Sequence, residues 1–330
     1  MNQFPLVWVV GSGGLLGGSV WRELGQHAWR PPHVLNWNDA ARLDHDLQSA
    51  VTAFAARLVS EARPAWAIAW CAGAGVVATP AAALAAETRA FERFLQLISS
   101  HSALATRPGF IVHASSAGGI YGGSFASPIS ESTPPAPISP YGHAKLEQER
   151  ILTAWRASEP HVRVHLARFS NLYGTGQQLN KAQGLISHAS RCLIHGAPVQ
   201  IYVSLDTIRD YLFADDAGRE MVNGLRRLIS EAALVEPVSM KIYASEREIS
   251  IAGLLGVFRQ VARRRLRVIA GVHPSAALQP RRLQFRSEVW RRGGARHVEL
   301  IEGVSRVFHH QMALFGRGLL APPAPVAGRR

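Results

Sequence analysis

A glycine-rich turn directly follows the first apolar run and leaves few folds open to the chain. The run LVWVV (6–10) leads into GSGGLLGG (11–18), in which glycine recurs at every third position. Between a strand and a helix, such glycines permit a tight turn, a close approach of the backbone to a pyrophosphate, and close helix–strand packing. The start of the helix offers free N–H groups to the phosphates. We therefore predict a dinucleotide site whose residues in this turn are Gly11, Ser12, Gly13, Gly14, Leu15, Leu16 and Gly17.

Short apolar runs alternate with helical patterns through the first half of the chain. The runs have the length of buried strands, and the segments between them have helical apolar spacing. Strands separated by helices form parallel sheets with both faces covered, so we predict an α/β fold with a doubly wound parallel (Rossmann) sheet. The predicted strands are 6–10, 33–37, 66–72, 110–116 and 162–170, and the predicted helices are 14–28, 47–59, 80–101 and one that begins near Tyr141.

The alternation becomes less regular after about residue 172. We predict a dinucleotide-binding domain over 1–172 and a smaller C-terminal α+β substrate lobe over 173–320, which returns elements to the main sheet. The Pro/Ala-rich end, 321–330, has nothing to bury and is expected to be a flexible tail. Within the lobe, the predicted strands are 200–204 and 234–244, and the predicted helices are 184–195, 215–231, 250–264 and 299–315.

The composition of the 330 residues fits a globular protein of the cytoplasm. Hydrophobic residues make up 47% and charged residues 18% of the chain, which argues against a disordered chain. Cys71 and Cys192 are the two cysteines, and without an export signal we expect reduced thiols. The uncharged segment 65–86 is long enough to span a bilayer. Glycines and a proline interrupt it, so a strand, a turn and a helix start are expected there and no membrane contact.

The net charge of +13 favours an anionic partner. Much of the arginine lies in the last third of the chain, where we interpret it as solvated surface. The basic run RQVARRRLR (259–267) contains no aromatic residue on which a base could stack, so nucleic acid is not the expected partner. The fourteen histidines show no metal-ligand spacing, and we assign no metal site.

The residues around the second predicted strand do not decide between NAD and NADP, which differ by the 2′-phosphate of the adenosine ribose. An acidic residue about 20 positions along binds the ribose hydroxyls of NAD, whereas a nearby arginine accommodates the 2′-phosphate of NADP. Asn36 stands where the acid is expected, and Asp39 lies slightly late. Arg30 and Arg42 flank the same region. We therefore expect NAD or NADP, with Asn36 among the cofactor-binding residues.

Two serines, a tyrosine and a lysine are candidate catalytic groups. The fourth predicted strand ends in Ser115 and Ser116, and parallel sheets bind ligands at the carboxyl ends of their strands. Tyr141 and Lys145 are four residues apart, which places them on one face of a helix. A neighbouring ammonium lowers the pKa of a phenol. We therefore expect Tyr141 and Lys145 to act together as an acid–base pair.

Five motifs together resemble the extended short-chain dehydrogenase/reductase family, the NAD-dependent epimerases and dehydratases of nucleotide sugars. The resemblance covers most of residues 5–220, and it implies a catalytic site of Ser116, Tyr141 and Lys145. Ser116 is favoured over Ser115 because it stands 25 residues before Tyr141, the spacing that the family implies. The motifs are GSGGLLGG (11–18), HASSAGGIYGG (113–123), SPYGHAKLEQE (139–149), ARFSNLYGTGQ (167–177) and TIRDYLFADDAG (207–218).

The resemblance also implies the ligands and the assembly. It favours NAD over NADP, a nucleotide-sugar substrate, and a homodimer formed through helical residues 84–101 and 141–157. It assigns Lys145 to the nicotinamide ribose as well as to catalysis. The further cofactor-binding residues that it implies are Ala72, Gly73, Tyr141, Lys145 and Ser170, and the substrate-binding residues are Ser116, Asn171, Arg209 and Tyr211.

The family resemblance disfavours one of the reactions that enzymes of this family catalyse, the elimination of water. Relatives that eliminate water carry Thr-Asp-Glu where this chain has AGG (117–119), so a 4,6-dehydratase is disfavoured. That comparison also places Ala117 where those relatives carry a hydroxyl group. We expect a 4-epimerase-like enzyme. The alternatives are a reductase or dehydrogenase of a keto-sugar or another carbonyl substrate and, less favoured, a non-catalytic dinucleotide-binding or RNA-binding protein on the same scaffold.

Overall fold

The computed structural model of the chain describes residues 4–178, 184–231, 236–272, 274–290 and 296–323. The strands of these residues are β1 Leu6–Val10, β2 Ala28–Trp29, β3 Trp66–Trp70, β4 Gly109–Ser116, β5 Val162–Phe169, β6 Asn171–Tyr173, β7 Val199–Ile201, β8 Ile208–Phe213, β9 Val238–Tyr243, β10 Glu248–Ser250 and β11 Val268–Ala270. The α-helices are α1 Leu15–Leu24, α2 Ala40–Ser60, α3 Ala81–Ser100, α4 Ser102–Ala105, α5 Ala117–Ile120, α6 Pro140–Ser158, α7 Leu185–Ile194, α8 Ala214–Ser230, α9 Ile251–Ala262 and α10 Leu300–Gly316.

The main sheet has six strands in the order β2-β1-β3-β4-β5-β9, and every neighbouring pair is parallel. Helices α2, α3 and α6 cover one face, and α1 and α8 cover the other. Because both faces are covered, the strands are almost continuously apolar, and all five residues of β1 and of β3 are buried. The predicted doubly wound Rossmann fold is confirmed.

The predicted second strand at 33–37 is wrong. The strand lies earlier, at Ala28–Trp29, where it pairs with β1, and 33–37 forms no strand. Trp29 is held in place by Trp8 and Phe54, with ring centroids 5.2 and 5.0 Å away. Two prolines follow at 31–32 and have no N–H to donate to a strand ladder. The apolar run that resembled a strand instead begins after the chain has left the sheet.

The C-terminal part forms a smaller lobe beside the carboxyl ends of the main strands. Its strands make a three-stranded sheet, β10-β8-β6, and a two-stranded sheet, β11-β7. Residues of β6, β7, β8, α7, α9 and α10 form a separate apolar cluster. Strand β9 of this part pairs with β5 in the main sheet, and α8 packs on one face of that sheet. The short strands β6, β8, β10 and β11 were not predicted.

Two sequence predictions include residues that the structure does not describe. Residues 234 and 235 of the predicted 234–244 strand, and 324–330 of the predicted tail, lie outside the described residues. The domain boundaries stay predictions.

The uncharged segment 65–86 contains β3, a turn and the start of α3. Across the described ranges, we find no helix that combines the length and the apolar character required to cross a bilayer.

Candidate active site

A continuous crevice runs along the carboxyl ends of β1, β3, β4 and β5. It has a larger chamber of about 1100 Å³ beside the glycine turn and a smaller one of about 270 Å³ between α5, α6 and the C-terminal lobe. Cys71, Ala72, Gly73 and Glu87 line both chambers. The predicted site residues that line the crevice are Gly11, Ser12, Gly13, Gly14, Leu15, Leu16, Ala72, Gly73, Ser116, Tyr141, Lys145, Ser170, Asn171 and Arg209.

The glycine turn has the geometry expected of a pyrophosphate cradle. Gly11 has a φ of 85°, and the Gly14 N–H donates to the Gly11 carbonyl at 2.9 Å. A Cβ on Gly11 would lie 2.7 Å from the Ala72 backbone nitrogen, and one on Gly17 would lie 2.1 Å from the Gly11 carbonyl oxygen. Both positions therefore exclude a side chain. Because α1 begins at Leu15, the free N–H groups of its first turn face the crevice, and this cradle fits a dinucleotide.

Ser116 lies at the end of β4 and caps α5. Its hydroxyl accepts a hydrogen bond from the Gly119 N–H at 3.1 Å and is also hydrogen-bonded to Tyr141. The Ser115 hydroxyl is buried and has no hydrogen-bond partner among the described residues. The geometry therefore brings Ser116 to the tyrosine, although both serines line the crevice.

Tyr141 and Lys145 are positioned by the start of α6. Ser139 caps this helix by accepting from the Gly142 N–H at 3.1 Å, and Pro140 occupies the first turn, where its missing N–H is not needed. A Cβ on Gly142 would lie 2.1 Å from the Gly119 carbonyl oxygen, so this glycine lets α6 approach α5 closely. The approach places the Tyr141 ring against Gly119 and beside Ser116.

The Lys145 ammonium is held on the inner side of the crevice. Its Nζ donates to the Ala114 carbonyl at 3.3 Å and to the Gln148 Oε1 at 3.1 Å, and the side chain is buried. Burial lowers the pKa of Lys145, whereas the carboxylates of Glu87 and Glu149 raise it. These carboxylates offset part of the cost of keeping the ammonium charged.

The expectation that Lys145 lowers the pKa of Tyr141 is not met by the protein alone. Burial raises the pKa of the phenol above its ordinary value, the hydrogen bond with Ser116 lowers it, and the charge of Glu87 raises it. Desolvation disfavours the charged phenolate and outweighs the hydrogen bond. Tyr141 is therefore a neutral phenol at neutral pH in the protein without ligand.

Ser170, which precedes β6, and side chains of β6 and β8 line the smaller chamber together with the tyrosine. The Ser170 hydroxyl donates to Asp210 Oδ1 at 2.6 Å, and the Asn171 amide donates to the Asp210 carbonyl at 3.1 Å. Arg209 donates to the Ile208 carbonyl at 2.9 Å and to the Gln279 Oε1 at 3.3 Å. Arg209 forms no ion pair with Asp210, so its guanidinium is not neutralised by its sequence neighbour.

Three predicted residues lie outside the lining of the crevice. Gly17 is buried in α1 against the glycine turn. Asn36 is misplaced because β2 ends earlier than predicted, and its backbone N–H donates to Asp46. Tyr211 packs in the C-terminal apolar cluster with its ring edge-on to Tyr173 at 6.2 Å.

Sequence reasoning missed Glu87, Gln178 and Gln279 as lining residues of the crevice. Glu87 lies on α3 and accepts a hydrogen bond from the Ala74 N–H at 2.8 Å. A polar residue on an amphipathic helix is expected to face solvent, so no local pattern signals that this one faces a ligand site. The glutamines belong to loops whose path depends on tertiary packing.

Comparison with known proteins identifies the family. The model of the NAD-dependent epimerase/dehydratase family matches residues 7–232. The chain belongs to this family. The resemblance to the extended short-chain dehydrogenase/reductases is therefore confirmed, and the family is one of NAD-dependent enzymes.

Curated members of the epimerase/dehydratase family match part of the chain. The UDP-glucose 4-epimerase of Mycolicibacterium smegmatis is 35% identical over 106 residues, which are 32% of this chain and 34% of that protein. The dTDP-4-dehydro-6-deoxyglucose reductase of Escherichia coli is 34% identical over 106 residues, 32% of this chain and 33% of that protein. The chain thus spans about a third of the length of the curated relatives it matches.

Solved structures of this family match nearly the whole fold. The UDP-glucose 4-epimerase of Thermotoga maritima with UDP-glucose has a TM-score of 0.71 at 16% identity, covering 94% of this chain and 99% of that one. The enzyme of the same name from Stenotrophomonas maltophila, with bound NAD and formylated UDP-arabinopyranose, has a TM-score of 0.72 at 17% identity, covering 95% and 100%. At these identities the likeness establishes the fold.

Proposed function

We propose that the chain is an NAD(P)-dependent nucleotide-sugar epimerase, acting in the manner of a 4-epimerase. The observation that carries the proposal is the convergence of Ser116, Tyr141 and Lys145 at the inner end of a crevice that begins at the glycine turn. These groups could hold a sugar hydroxyl beside the site expected for a nicotinamide. Membership of the epimerase/dehydratase family supports the same assignment.

In the proposed mechanism, Tyr141 is the acid–base group. The phenolate form of Tyr141, which the positive charge of a bound oxidised nicotinamide would favour, takes the proton of the sugar hydroxyl and becomes the neutral phenol. Ser116 donates a hydrogen bond to the same sugar oxygen and steadies its developing charge. A bound oxidised nicotinamide would accept the hydride and add a positive charge beside the phenol. Lys145 keeps its ammonium oriented through Ala114 and Gln148. Tyr141 returns the proton when the sugar is reduced again.

We assign the substrate's diphosphate to the wall formed by β6 and β8. Arg209 is buried, is not neutralised by Asp210, and lines the smaller chamber together with Asn171. A guanidinium can bind two phosphate oxygens at once, and an amide can donate one further hydrogen bond. This arrangement supports a nucleotide diphosphate bound to a sugar. Tyr211 is not included, because it does not line the crevice.

A second candidate is an NAD(P)-dependent reductase of a keto-sugar. One relative matched at 34% identity is a dTDP-4-dehydro-6-deoxyglucose reductase, and the same acid–base groups would serve a one-way reduction. Dehydration is not supported, since residues 117–119 carry no carboxylate. A non-catalytic role is less favoured because the serine, tyrosine and lysine are all present.

The experiment that tests the function begins with the nucleotide that co-purifies with the protein, identified by mass spectrometry. The protein is then incubated with UDP-, dTDP- and GDP-sugars, and the products are separated by chromatography. An epimerase interconverts two sugars without net consumption of cofactor, whereas a reductase consumes NAD(P)H in proportion to product. Absence of both a bound dinucleotide and any conversion across the panel would contradict the proposal.

The location and assembly also stay proposals. We infer a cytoplasmic homodimer in which α3 and α6, which pack side by side in the chain, meet the same pair in a second copy. Multi-angle light scattering on the purified protein tests the oligomeric state, and a monomer at micromolar concentration contradicts it.

A further inference from the structure

The carboxyl end of β2 carries an arginine where a carboxylate would bind the ribose of NAD. In dinucleotide-binding sheets, the residue that follows the second strand selects the cofactor: an acid accepts from the ribose hydroxyls, whereas an arginine binds a 2′-phosphate. Strand β2 ends at Trp29, so the next residue, Arg30, occupies this position. Arg30 lines the larger chamber together with the glycine turn.

The carboxylates on both sides of this position in the sequence already have partners. Glu23, which precedes it, lies 3.7 Å from the Arg226 guanidinium. The Asp39 side chain caps α2 by accepting from two backbone N–H groups. Asp44 forms an ion pair with Arg93 at 2.5 Å, and Asp46 accepts from the Asn36 N–H at 2.9 Å. Each of these carboxylates is engaged elsewhere, so none of them, within the described part of the chain, stands at the end of β2 for the hydroxyls of an NAD ribose.

Arg30 is in a suitable arrangement to bind a phosphate. Its guanidinium lies over the Trp21 ring of α1, with Cζ 5.1 Å from the ring centroid. Among the described residues, Arg30 has no carboxylate within ion-pair distance. Stacking on the indole face orients the guanidinium and leaves the N–H groups at its edge free for phosphate oxygens.

We propose that this chain binds NADP(H) in preference to NAD(H), with Arg30 as the residue that binds the 2′-phosphate. The inference rests on the proposed dinucleotide site but not on the proposed reaction. It distinguishes this chain from the structural neighbours described with NAD, and the distinction lies in its own residue at the end of β2. Two charge-assisted hydrogen bonds to phosphate would supply the preference.

The test is isothermal titration calorimetry of the full chain, freed of co-purifying nucleotide, with NAD⁺, NADP⁺, 5′-AMP and 2′,5′-ADP. We expect NADP⁺ to bind at least tenfold more tightly than NAD⁺, and 2′,5′-ADP to bind more tightly than 5′-AMP. A tenfold ratio corresponds to about 1.4 kcal/mol. The two adenosine fragments isolate the 2′-phosphate from contacts made by the nicotinamide half.

Variants of Arg30 assign the preference to that residue. Arg30→Ala is expected to weaken NADP⁺ at least tenfold and leave NAD⁺ nearly unchanged, and Arg30→Asp is expected to reverse the preference. Arg42→Ala is the matched control, because Arg42 is exposed and pairs with Asp39 at 3.4 Å; its NADP⁺/NAD⁺ ratio should equal that of the wild type. Thermal unfolding verifies that each variant is folded.

The failures of the two proposals can be told apart. If NAD⁺ binds as tightly as NADP⁺, or if Arg30→Ala keeps the wild-type ratio, the assignment of Arg30 is overturned while the epimerase proposal stands. If neither dinucleotide binds to the folded protein, both proposals are overturned.

Discussion

Two neighbouring glycines of α1, Gly17 and Gly18, allow a sharp test of the glycine turn. Replacing either with alanine adds one methyl group inside the same helix. A Cβ on Gly17 would lie 2.1 Å from the carbonyl oxygen and 2.7 Å from the carbonyl carbon of Gly11, both of which are backbone atoms. A Cβ on Gly18 would lie 3.4 Å from the Ser12 carbonyl oxygen, which is ordinary contact. The two substitutions therefore differ in steric fit, not in local propensity.

The expected changes in the free energy of unfolding have opposite signs for the two variants. Alanine in place of glycine in a helix interior stabilises by roughly 1 kcal/mol, and this gain applies to both positions. Overpacking a close backbone contact costs about 1–3 kcal/mol or more, and the 2.1 Å contact of Gly17 is with rigid backbone. Because this contact is far closer than any real Cβ contact, we take the cost at the upper end of that range. Gly17→Ala is then expected to lower the free energy of unfolding by about 2 kcal/mol, and Gly18→Ala to raise it by about 0.5–1 kcal/mol.

The assay is urea unfolding followed by circular dichroism, together with a dinucleotide titration of each variant. Since relief of the clash must move the turn away from α1, Gly17→Ala is also expected to lose at least tenfold in dinucleotide affinity, whereas Gly18→Ala keeps the wild-type value. A Gly17→Ala protein with wild-type stability and wild-type affinity would refute the role assigned to the close approach of α1 and the turn.

Three further predictions concern titratable side chains. Glu149→Gln leaves the buried Arg168 guanidinium without its carboxylate, so urea unfolding should reveal a loss of about 3–5 kcal/mol; a loss below about 1 kcal/mol would show that the pair is dispensable. Burial lowers the pKa of His165 to about 3. Between about pH 6.5 and 3 the unfolded chain binds a proton that the folded chain does not, so stability falls as the pH falls, by up to about 1.4 kcal/mol per pH unit from this group. The free energy of unfolding measured from pH 7 to 4 should therefore depend less steeply on pH in a folded His165→Gln variant than in the wild type. An equal pH dependence in the two proteins counts against the assignment. Glu87→Gln removes a charge that raises the pKa of Tyr141 and of Lys145. The acidic limb of the pH–rate profile, assigned to Tyr141, and the basic limb, assigned to Lys145, should therefore both move to lower pH. Asp44→Asn, on another part of the crevice wall, is the control and should leave both limbs unmoved.

The main sheet could be predicted because its signals are local. The apolar runs of β1 and β3 are uninterrupted and end at glycine or small residues, so periodicity alone locates them. Strand β2 could not be located in this way, since it has two residues and is defined by pairing with β1 and by contacts of Trp29. The run at 33–37 has the composition of a strand but follows two prolines.

The candidate site could be predicted where the spacing of residues within a motif determines which side chains lie together. The spacing of Tyr141 and Lys145 and the glycine turn determine which groups can meet, and the sequence order determines which strand ends bring them together. The sign of the Tyr141 pKa shift could not be predicted, because it depends on how completely the ring is desolvated and on Glu87, which comes from another helix. The position of Tyr211 depends in the same way on packing within the lobe.

The most direct test of the account is the rate of hydride transfer in a single turnover. The protein loaded with its oxidised dinucleotide is mixed rapidly with the nucleotide sugar it converts. The absorbance of reduced nicotinamide is then followed in wild type and in Tyr141→Phe. Because general acid–base groups contribute roughly 10²–10⁴-fold, we predict that Tyr141→Phe still binds the dinucleotide and, once saturated with it, forms reduced nicotinamide at least a hundredfold more slowly. Equal rates in the two proteins would contradict the assignment of Tyr141 as the acid–base group.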